Sequence, residues 1–210
     1  MNNIINLTKM SLINFKSVFK QVGLILVVWV VMSVFENSFI GMLGGIITIT
    51  VVGQLMSYED MSTIDNIIGT IPVKRKEYVI SKYIVGIISM LTTIIVVSII
   101  YNLIDIDITL DFLLTTSILS STIIISTIIP LIMKFGIVKG RLMMFAVTFF
   151  VIFCSMSLVD ILQEPPKFLE STIYYINNTN PLIISSIVST LAILISMLIC
   201  IKIYDKKEFK

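Results

Sequence analysis

The sequence contains a series of long apolar segments without charged residues, and these constrain the fold most. Five of them cover residues 21–35, 37–58, 83–104, 112–133 and 142–159. A polar breaker at 177–181 leaves 182–204 as a sixth, which is free of charge up to Lys202 near its end. A helix needs about 20 mostly apolar residues to cross a hydrocarbon core of about 30 Å. Because the segments do not alternate apolar and polar residues as membrane strands do, we expect helices. The sequence therefore predicts an all-α, polytopic membrane protein with six transmembrane helices in one transmembrane domain, 1–210.

The composition excludes several other classes of protein. Hydrophobic residues make up 57% of the chain and charged residues 13%, whereas soluble domains carry about 25% charged residues. A soluble domain, a disordered tail and a nucleic-acid binder are therefore excluded. The chain has no His, so we predict neither catalytic residues nor a metal site. It also lacks the GxxxxGK[ST] and GxGxxG patterns, so no nucleotide cofactor is expected on this chain.

The charged residues lie very unevenly along the chain. Segments 1–20, 58–82, 134–141 and 202–210 hold 14 of the 15 Lys and Arg residues against six acidic ones. The intervening polar segments hold one basic residue against seven acidic ones. Cytoplasmic loops of membrane proteins carry the excess of Lys and Arg. The pattern predicts a multi-pass protein with both termini in the cytoplasm and 160–181 as an extracellular loop.

Residues 1–20, before the first predicted span, have an amphipathic pattern. Apolar side chains recur at helical spacing while lysines gather on another face; the first set is Ile5, Leu12, Phe15 and Phe19 with Thr8, and the second is Lys9, Lys16 and Lys20 with Asn2 and Asn6. Such a helix lies in the membrane interface with its lysines toward anionic headgroups. We therefore predict an interfacial helix, which either only anchors the first span or also contacts a cytoplasmic partner.

The segment between the second and third predicted spans, 58–77, predicts a short amphipathic helix in the cytoplasm. An apolar stripe follows Met61, Ile64, Ile68 and Ile71, acidic residues open the helix, and Gly69 and Pro72 end it. A helix this short has no core of its own in which to bury the stripe. Either the membrane or a partner protein covers it, and the acidic first turn favours the partner. We interpret the other basic segment, 134–141, as a tight turn.

The fourth predicted span is rich in hydroxyl side chains, among which Thr116, Ser120, Ser121 and Ser126 are candidates for the lining of a translocation path. Small hydroxyl residues also serve helix packing in membranes. Both interpretations stay open at this point.

The region 58–83 resembles the corresponding region of type-2 ABC exporter permeases, specifically small bacterial six-span members. The resemblance rests on YED at 58–60, on Asp65, and on PVKRKEYVISKY at 72–83. The amphipathic N-terminal helix, the six spans and the long loop between spans five and six also fit that family. The permease subunits of the phenol-soluble-modulin exporter are similar in size and layout, and lantibiotic-immunity and bacitracin-type permeases share the architecture.

The resemblance implies a division of labour between subunits. A separate ATP-binding subunit, carrying ATP and Mg²⁺, would dock on a coupling helix in 58–77, and a second permease chain, identical or not, would pair with this one. By position, the docking contact falls on Glu59, Asp60, Met61, Ile64, Asp65 and Ile68, with Arg75 and Glu77 bracing the return into the membrane.

The expected function is that of a permease subunit of an ABC exporter in the bacterial cell membrane. Its cargo would be amphipathic or apolar, such as toxin or antimicrobial peptides, because the helices offer few charges to solvate a polar ion. One alternative is a peptide-binding immunity or scaffold protein without transport. A channel or an ion-coupled carrier is the other, although carriers generally need ionisable groups near the centre of a span, and none is predicted here.

Overall fold

The computed structural model describes residues 2–35, 40–61, 74–104, 109–163 and 180–206, and all regular elements in these residues are α-helices. The helices are α1 (Asn2–Phe35), α2 (Leu43–Met61), α3 (Arg75–Leu103), α4 (Leu110–Gln163) and α5 (Pro181–Asp205). The prediction of an all-α protein is thus confirmed for the described residues.

Within the described ranges, three helices are long and apolar enough to cross a membrane: Arg75–Leu103, Leu110–Ile137 and Pro181–Asp205. They correspond to the predicted spans 83–104, 112–133 and 182–204. The bent α1 would add a fourth if its two halves count as one span. Six spans are therefore confirmed only in part, and the rest stays a prediction. Of the predicted coupling segment 58–77, residues 58–61 do not open a separate helix but form the end of α2, and residues 74–77 belong to the beginning of α3. The remaining residues, 62–73, lie outside the described part of the chain.

The first helix, α1, changes direction near its middle. Its segments Asn3–Ser17 and Val22–Ser33 meet at an angle of 76°. The bend falls where the sequence passes from the amphipathic residues 1–20 to the apolar segment 21–35. The two halves of α1 therefore cannot both run along the same membrane normal.

The first half of α1 packs on the bundle through a face that differs from the predicted apolar stripe. Thr8 is largely buried and Ser11 is fully buried, whereas Ile5 and Phe19 are 57% and 59% exposed. Leu7 and Met10 pack on the core from this inner face, and the short side chains of Thr8 and Ser11 beside them allow the backbone of α1 to lie close to its neighbours. Of the predicted apolar stripe, Ile5, Leu12 and Phe19 are consequently exposed.

The fourth helix, α4, is interrupted at Gly136, whose backbone has φ 74° and ψ 173°. A Cβ at Gly140 would lie 3.2 Å from Cγ1 of Ile132, although residues eight apart in a straight helix are separated by about 12 Å. The chain therefore folds back here. The sequence predicted a turn over 134–141, and the structure confines the break to one residue because glycine adopts positive φ at little cost.

The helices α2 and α4 approach closely through small residues. Ser117 Oγ donates to the Gly41 carbonyl oxygen at 3.3 Å, and a Cβ at Gly44 would overlap the Ser117 backbone. Such small-residue contacts replace the hydrophobic driving force, which is absent between helices in lipid. Further buried side chains complete the core between α3, α4 and α5, including Tyr83, Ile125, Ile128, Ile129 and Tyr204.

Substitution of Gly44 tests this close approach. Gly44→Ala places a methyl group against the backbone of α4, which cannot rotate away, so we expect a loss of about 1–3 kcal/mol and a lower melting temperature in detergent. Gly23→Ala is the matched control, because a Cβ there meets nothing within 4 Å. Equal melting temperatures of the two variants would contradict the packing.

Candidate functional site

A buried ion pair joins the end of α2 to the beginning of α3. Lys82 Nζ donates to Oε2 of Glu59, and each side chain is only 2% exposed. Charges buried in apolar surroundings carry a large desolvation penalty, so they persist only when they are paired and hydrogen-bonded. The pair therefore fixes the position of the two helix ends relative to each other.

Ser11 of α1 completes this arrangement. Its Oγ accepts a hydrogen bond from Lys82 Nζ and donates one to Oε1 of Glu59, both at 2.8 Å. The ring centroid of Tyr78 lies 4.7 Å from Lys82 Nζ, within the range of a cation–π contact. We call Ser11, Glu59 and Lys82 the buried triad. It ties three helices together at one point.

The first turns of α3 also contact α5. Arg75 Nη1 donates to the carbonyl oxygen of Asp205 at 2.8 Å, and the Tyr78 and Tyr204 rings are 5.7 Å apart. The last carbonyl groups of a helix have no partner within the helix, so the guanidinium of Arg75 caps the end of α5. The start of α3 is thus held against α5 as well.

Glu77 fastens the N-terminus of α3. Its Oε2 accepts from the backbone N–H of Lys74 at 3.2 Å and from Asn3 Nδ2 of α1 at 3.3 Å. The first bond is half of a capping box, which satisfies a helix donor that would otherwise lack a partner. We call this region, where α1 begins, α2 ends, α3 begins and α5 ends, the polar end of the bundle.

The residues predicted to dock the ATP-binding subunit fall into two groups. Glu59, Arg75 and Glu77 make the intramolecular bonds just described. The side chains of the others lie outside the described part of the chain: Asp60, Met61, Ile64, Asp65 and Ile68. The docking assignment stays a prediction. The described members of the set hold the end of α2 and the beginning of α3, the two helix ends next to residues 62–73 in the chain.

The residues predicted to line a path lie in a packed region of the first arm of α4. The Thr116 and Ser120 hydroxyls donate to carbonyl groups one turn back in their own helix, and Ser121 is fully buried. The Ser126 carbonyl accepts from Ser196 of α5 at 2.7 Å. The hydroxyls of Thr116 and Ser120 are thus bonded within α4, whereas those of Ser121 and Ser126 are buried without a hydrogen-bond partner among the described residues. The role of all four in a path stays a prediction.

A cleft of about 540 Å³ lies between α1, α2 and the second arm of α4. Its walls contain no ionisable side chain and are formed by Ile25, Ile49, Thr50, Gly53, Gln54, Ser57, Met144, Phe145 and Thr148. The hydroxyl groups of Thr50 and Thr148 donate to carbonyl oxygens of their own helices. The walls are otherwise largely apolar, so the cleft suits an apolar or amphipathic molecule.

Gln54 and Ser57 give this cleft a neutral polar strip. They lie one turn apart on α2, and within the described residues no hydrogen-bond partner reaches the Gln54 amide or the Ser57 hydroxyl. An amide in apolar surroundings loses free energy unless it is hydrogen-bonded. The strip is therefore available to a ligand with uncharged hydrogen-bonding groups.

Sequence reasoning did not single out Ser11, Lys82 or Gln54 as site residues. Lys82 carried a usable signal, because it is the one charged residue beyond the first turn of α3. Gln54 carried a weaker one, as the lone amide in the interior of a charge-free segment that begins with Asn37. Nothing in the sequence distinguishes Ser11 from other small polar residues of α1.

Breaking the ion pair tests the role of the buried triad. Lys82→Met leaves the Glu59 carboxylate buried without its cation, and such a loss costs about 3–5 kcal/mol. We expect a clearly lower melting temperature of the purified protein. Glu59→Met in addition should recover most of that loss, because no charge then remains buried.

The control for this experiment is Lys76→Met, which removes an exposed lysine from the same end of the helix. We expect its melting temperature to stay close to that of the unmodified protein. A double variant as unstable as Lys82→Met alone would show that the pair is not what holds the helices.

Comparison with known proteins gives one result. The family model described as ABC-2 family transporter protein matches residues 6–205, a range that contains the buried triad and the cleft. No curated protein and no solved structure matches the chain. The family consists of membrane transport components and not of the ATPases themselves. The chain therefore belongs to the ABC-2 family of transporter proteins, as a multi-pass permease subunit of an ABC transporter.

Proposed function

We propose that this permease subunit exports amphipathic or apolar cargo, such as toxin or antimicrobial peptides, from a bacterial cell. A separate ATP-binding subunit that carries ATP and Mg²⁺ would dock on the segment 58–77. The observation that supports this most directly is the bracing of both ends of that segment. The buried triad holds one end, and the contacts of Arg75 and Glu77 hold the other.

Through these contacts, a movement of the docking segment could be transmitted to the helices of the bundle. A displacement of the segment 62–73 would move the end of α2 and the beginning of α3 together, because Glu59 and Lys82 are paired. Ser11 would pass the movement to α1, and Arg75 would pass it to α5. A partner that binds this short segment could in this way reposition four helices at once.

The charges support an orientation with the polar end in the cytoplasm. Exposed lysines at this end include Lys74, Lys76 and Lys202, with Lys134 and Lys139 beside the break in α4. Lysines of this kind are enriched on the cytoplasmic side of membrane proteins. Both termini, and the docking segment, would then lie on the side of the membrane where ATP is available.

The cleft supports the class of cargo. Its apolar walls suit the apolar face of a peptide, while Gln54 and Ser57 can bond to uncharged polar groups. Pairing with a second permease chain would enclose such a cargo between two subunits. The lack of ionisable groups in the cleft walls makes an ion channel or an ion-coupled carrier the weaker alternative.

Substitutions in the docking segment test the partner. We expect Ile64→Asp and Ile68→Asp each to reduce co-purification of the ATP-binding subunit at least about tenfold, because a buried carboxylate in an apolar contact is costly. The permease should remain folded, with an unchanged melting temperature.

The control for docking is Lys134→Asp, which introduces the same charge at an exposed position near the break in α4. It should leave co-purification intact. Retention of the ATP-binding subunit by both isoleucine variants would refute the assignment of 58–77.

Transport itself can be measured in inside-out vesicles that contain the permease and the ATP-binding subunit. We expect ATP-dependent uptake of a fluorescent amphipathic helical peptide, and a reduction of about five- to tenfold in Gln54→Leu, equivalent to the loss of one hydrogen bond of 1–1.5 kcal/mol. Thr190→Leu on the outer face of α5 should transport normally. Peptide binding without uptake would favour an immunity or scaffold role, and flux without ATP would favour a channel or carrier.

A further inference from the structure

The first half of α1 presents one face to the bundle and a different face outward. We call Ile5, Lys9, Leu12, Ile13 and Lys16 the outer face of α1; all five side chains are exposed. Ile13, the most exposed of the three apolar ones, is 61% accessible. The face therefore combines cations with uncovered apolar side chains, which is unusual for a surface in contact with water alone.

The orientation of this half suits the membrane surface. Asn3–Ser17 is turned by 76° from Val22–Ser33, so it runs nearly in the plane of the bilayer when Val22–Ser33 lies along the membrane normal. Lys20, at the bend, is exposed as well. A helix in this position can place apolar side chains below the phosphates and lysines at their level, because the long stem of lysine is flexible.

The charge of α1 indicates which kind of molecule binds to its outer face. The first 35 residues contain no Asp or Glu, so Lys9, Lys16 and Lys20 have no acidic neighbour within their own helix. Glu77 at the polar end is engaged by Asn3, and Glu59 by Lys82. Anionic phospholipid headgroups offer the complementary charge directly beside an apolar layer, as this mixed face requires.

The opposite face of the same helix carries Ser11 of the buried triad. At 100° per residue, Lys9 and Lys16 lie about 140–160° around the helix axis from Ser11. One straight segment of helix therefore has the lysines on one side and the triad on the other. Any change in how deeply or firmly this segment sits in the interface must act on the Ser11 hydrogen bonds.

We propose that the outer face of α1 binds anionic phospholipid headgroups and that Ser11 couples this binding to the Glu59–Lys82 pair. Lipid bound to α1 in the conformation with an intact triad stabilises that conformation by mass action. Ser11 is then a positioning residue, which links the lipid surface to the brace of the segment 58–77. The inference concerns the permease alone and would hold even if the proposed cargo or docking partner were different.

Lipid selection can be measured by quenching of tryptophan fluorescence. The chain has a single Trp, at position 29, so the variant W29F/I13W reports on the outer face only. The protein is reconstituted without any partner in phosphatidylcholine vesicles with about one third phosphatidylglycerol, with bromine on the acyl chains of one lipid or the other. We expect brominated phosphatidylglycerol to quench about twofold more per mole than brominated phosphatidylcholine.

Lysine variants show whether the charge of α1 causes the preference. K9Q/K16Q/K20Q in the W29F/I13W background should bring the two quenching values close together. The control K134Q/K139Q removes exposed lysines at the break in α4 and should keep the preference. Equal quenching in the parent protein, the same loss in both lysine variants, or quenching by neither lipid would each overturn the proposal, and the last would indicate a protein partner on this face.

The coupling through Ser11 has a separate readout. Phosphatidylglycerol should raise the melting temperature of the unmodified protein, and S11A should lose at least about half of that increment, because the bond between α1 and the pair is gone. S11T, which keeps the hydroxyl, should retain the increment. The control S33A removes another fully buried serine of α1, whose hydroxyl bonds only to Val30 of its own helix, and should leave the increment intact. A full increment in S11A would refute the coupling.

Discussion

The buried pair between Glu59 and Lys82 is the interaction on which the polar end of the bundle depends. The two side chains are each only 2% exposed, and they can remain charged because each neutralises the charge of the other. The ammonium group of Lys82 also donates a hydrogen bond to Ser11 and makes a cation–π contact with Tyr78. Such a pair contributes little net stability compared with apolar residues, but removal of only one of its two charges is strongly destabilising because the other charge then stays buried without a partner. It is therefore suited to hold several helices in one specific arrangement.

Much of the architecture could be predicted from the sequence, because membrane helices follow from the length of apolar segments alone. The predicted span 182–204 corresponds closely to α5, and the predicted span 83–104 ends with α3, which begins eight residues earlier, at Arg75. The inward face of α1 could not be predicted in this way. In lipid, large apolar side chains can face outward and small polar ones inward, so the apolar stripe of Ile5 and Phe19 does not mark the buried side.

For the candidate site, too, features of neighbouring residues could be predicted from the sequence, whereas contacts between distant residues could not. The prediction that the segment 58–77 docks a partner rests on local information, namely acidic residues, an apolar stripe and a basic cluster in short succession. The use of Glu59 could not be, because it depends on Lys82 and on Ser11, which is 48 residues away in the chain. The hydroxyl groups of α4 could be counted in the sequence, but their partners could not be predicted: Ser117 bonds to the distant Gly41 carbonyl, whereas the Ser126 hydroxyl has no partner among the described residues.

The break at Gly136 has a consequence for the geometry of the whole bundle. Because one residue reverses the chain, the two arms of α4 meet α2 in a fixed register, with Ile124 of one arm and Val151 of the other both beside Gly45. Each residue added to a helix rotates all later residues of that helix by about 100°. The length of this turn therefore sets which side of the second arm faces the cleft, so a permease of this kind could change the shape of its cleft by insertion or deletion at the turn, without any change to the residues of the cleft walls.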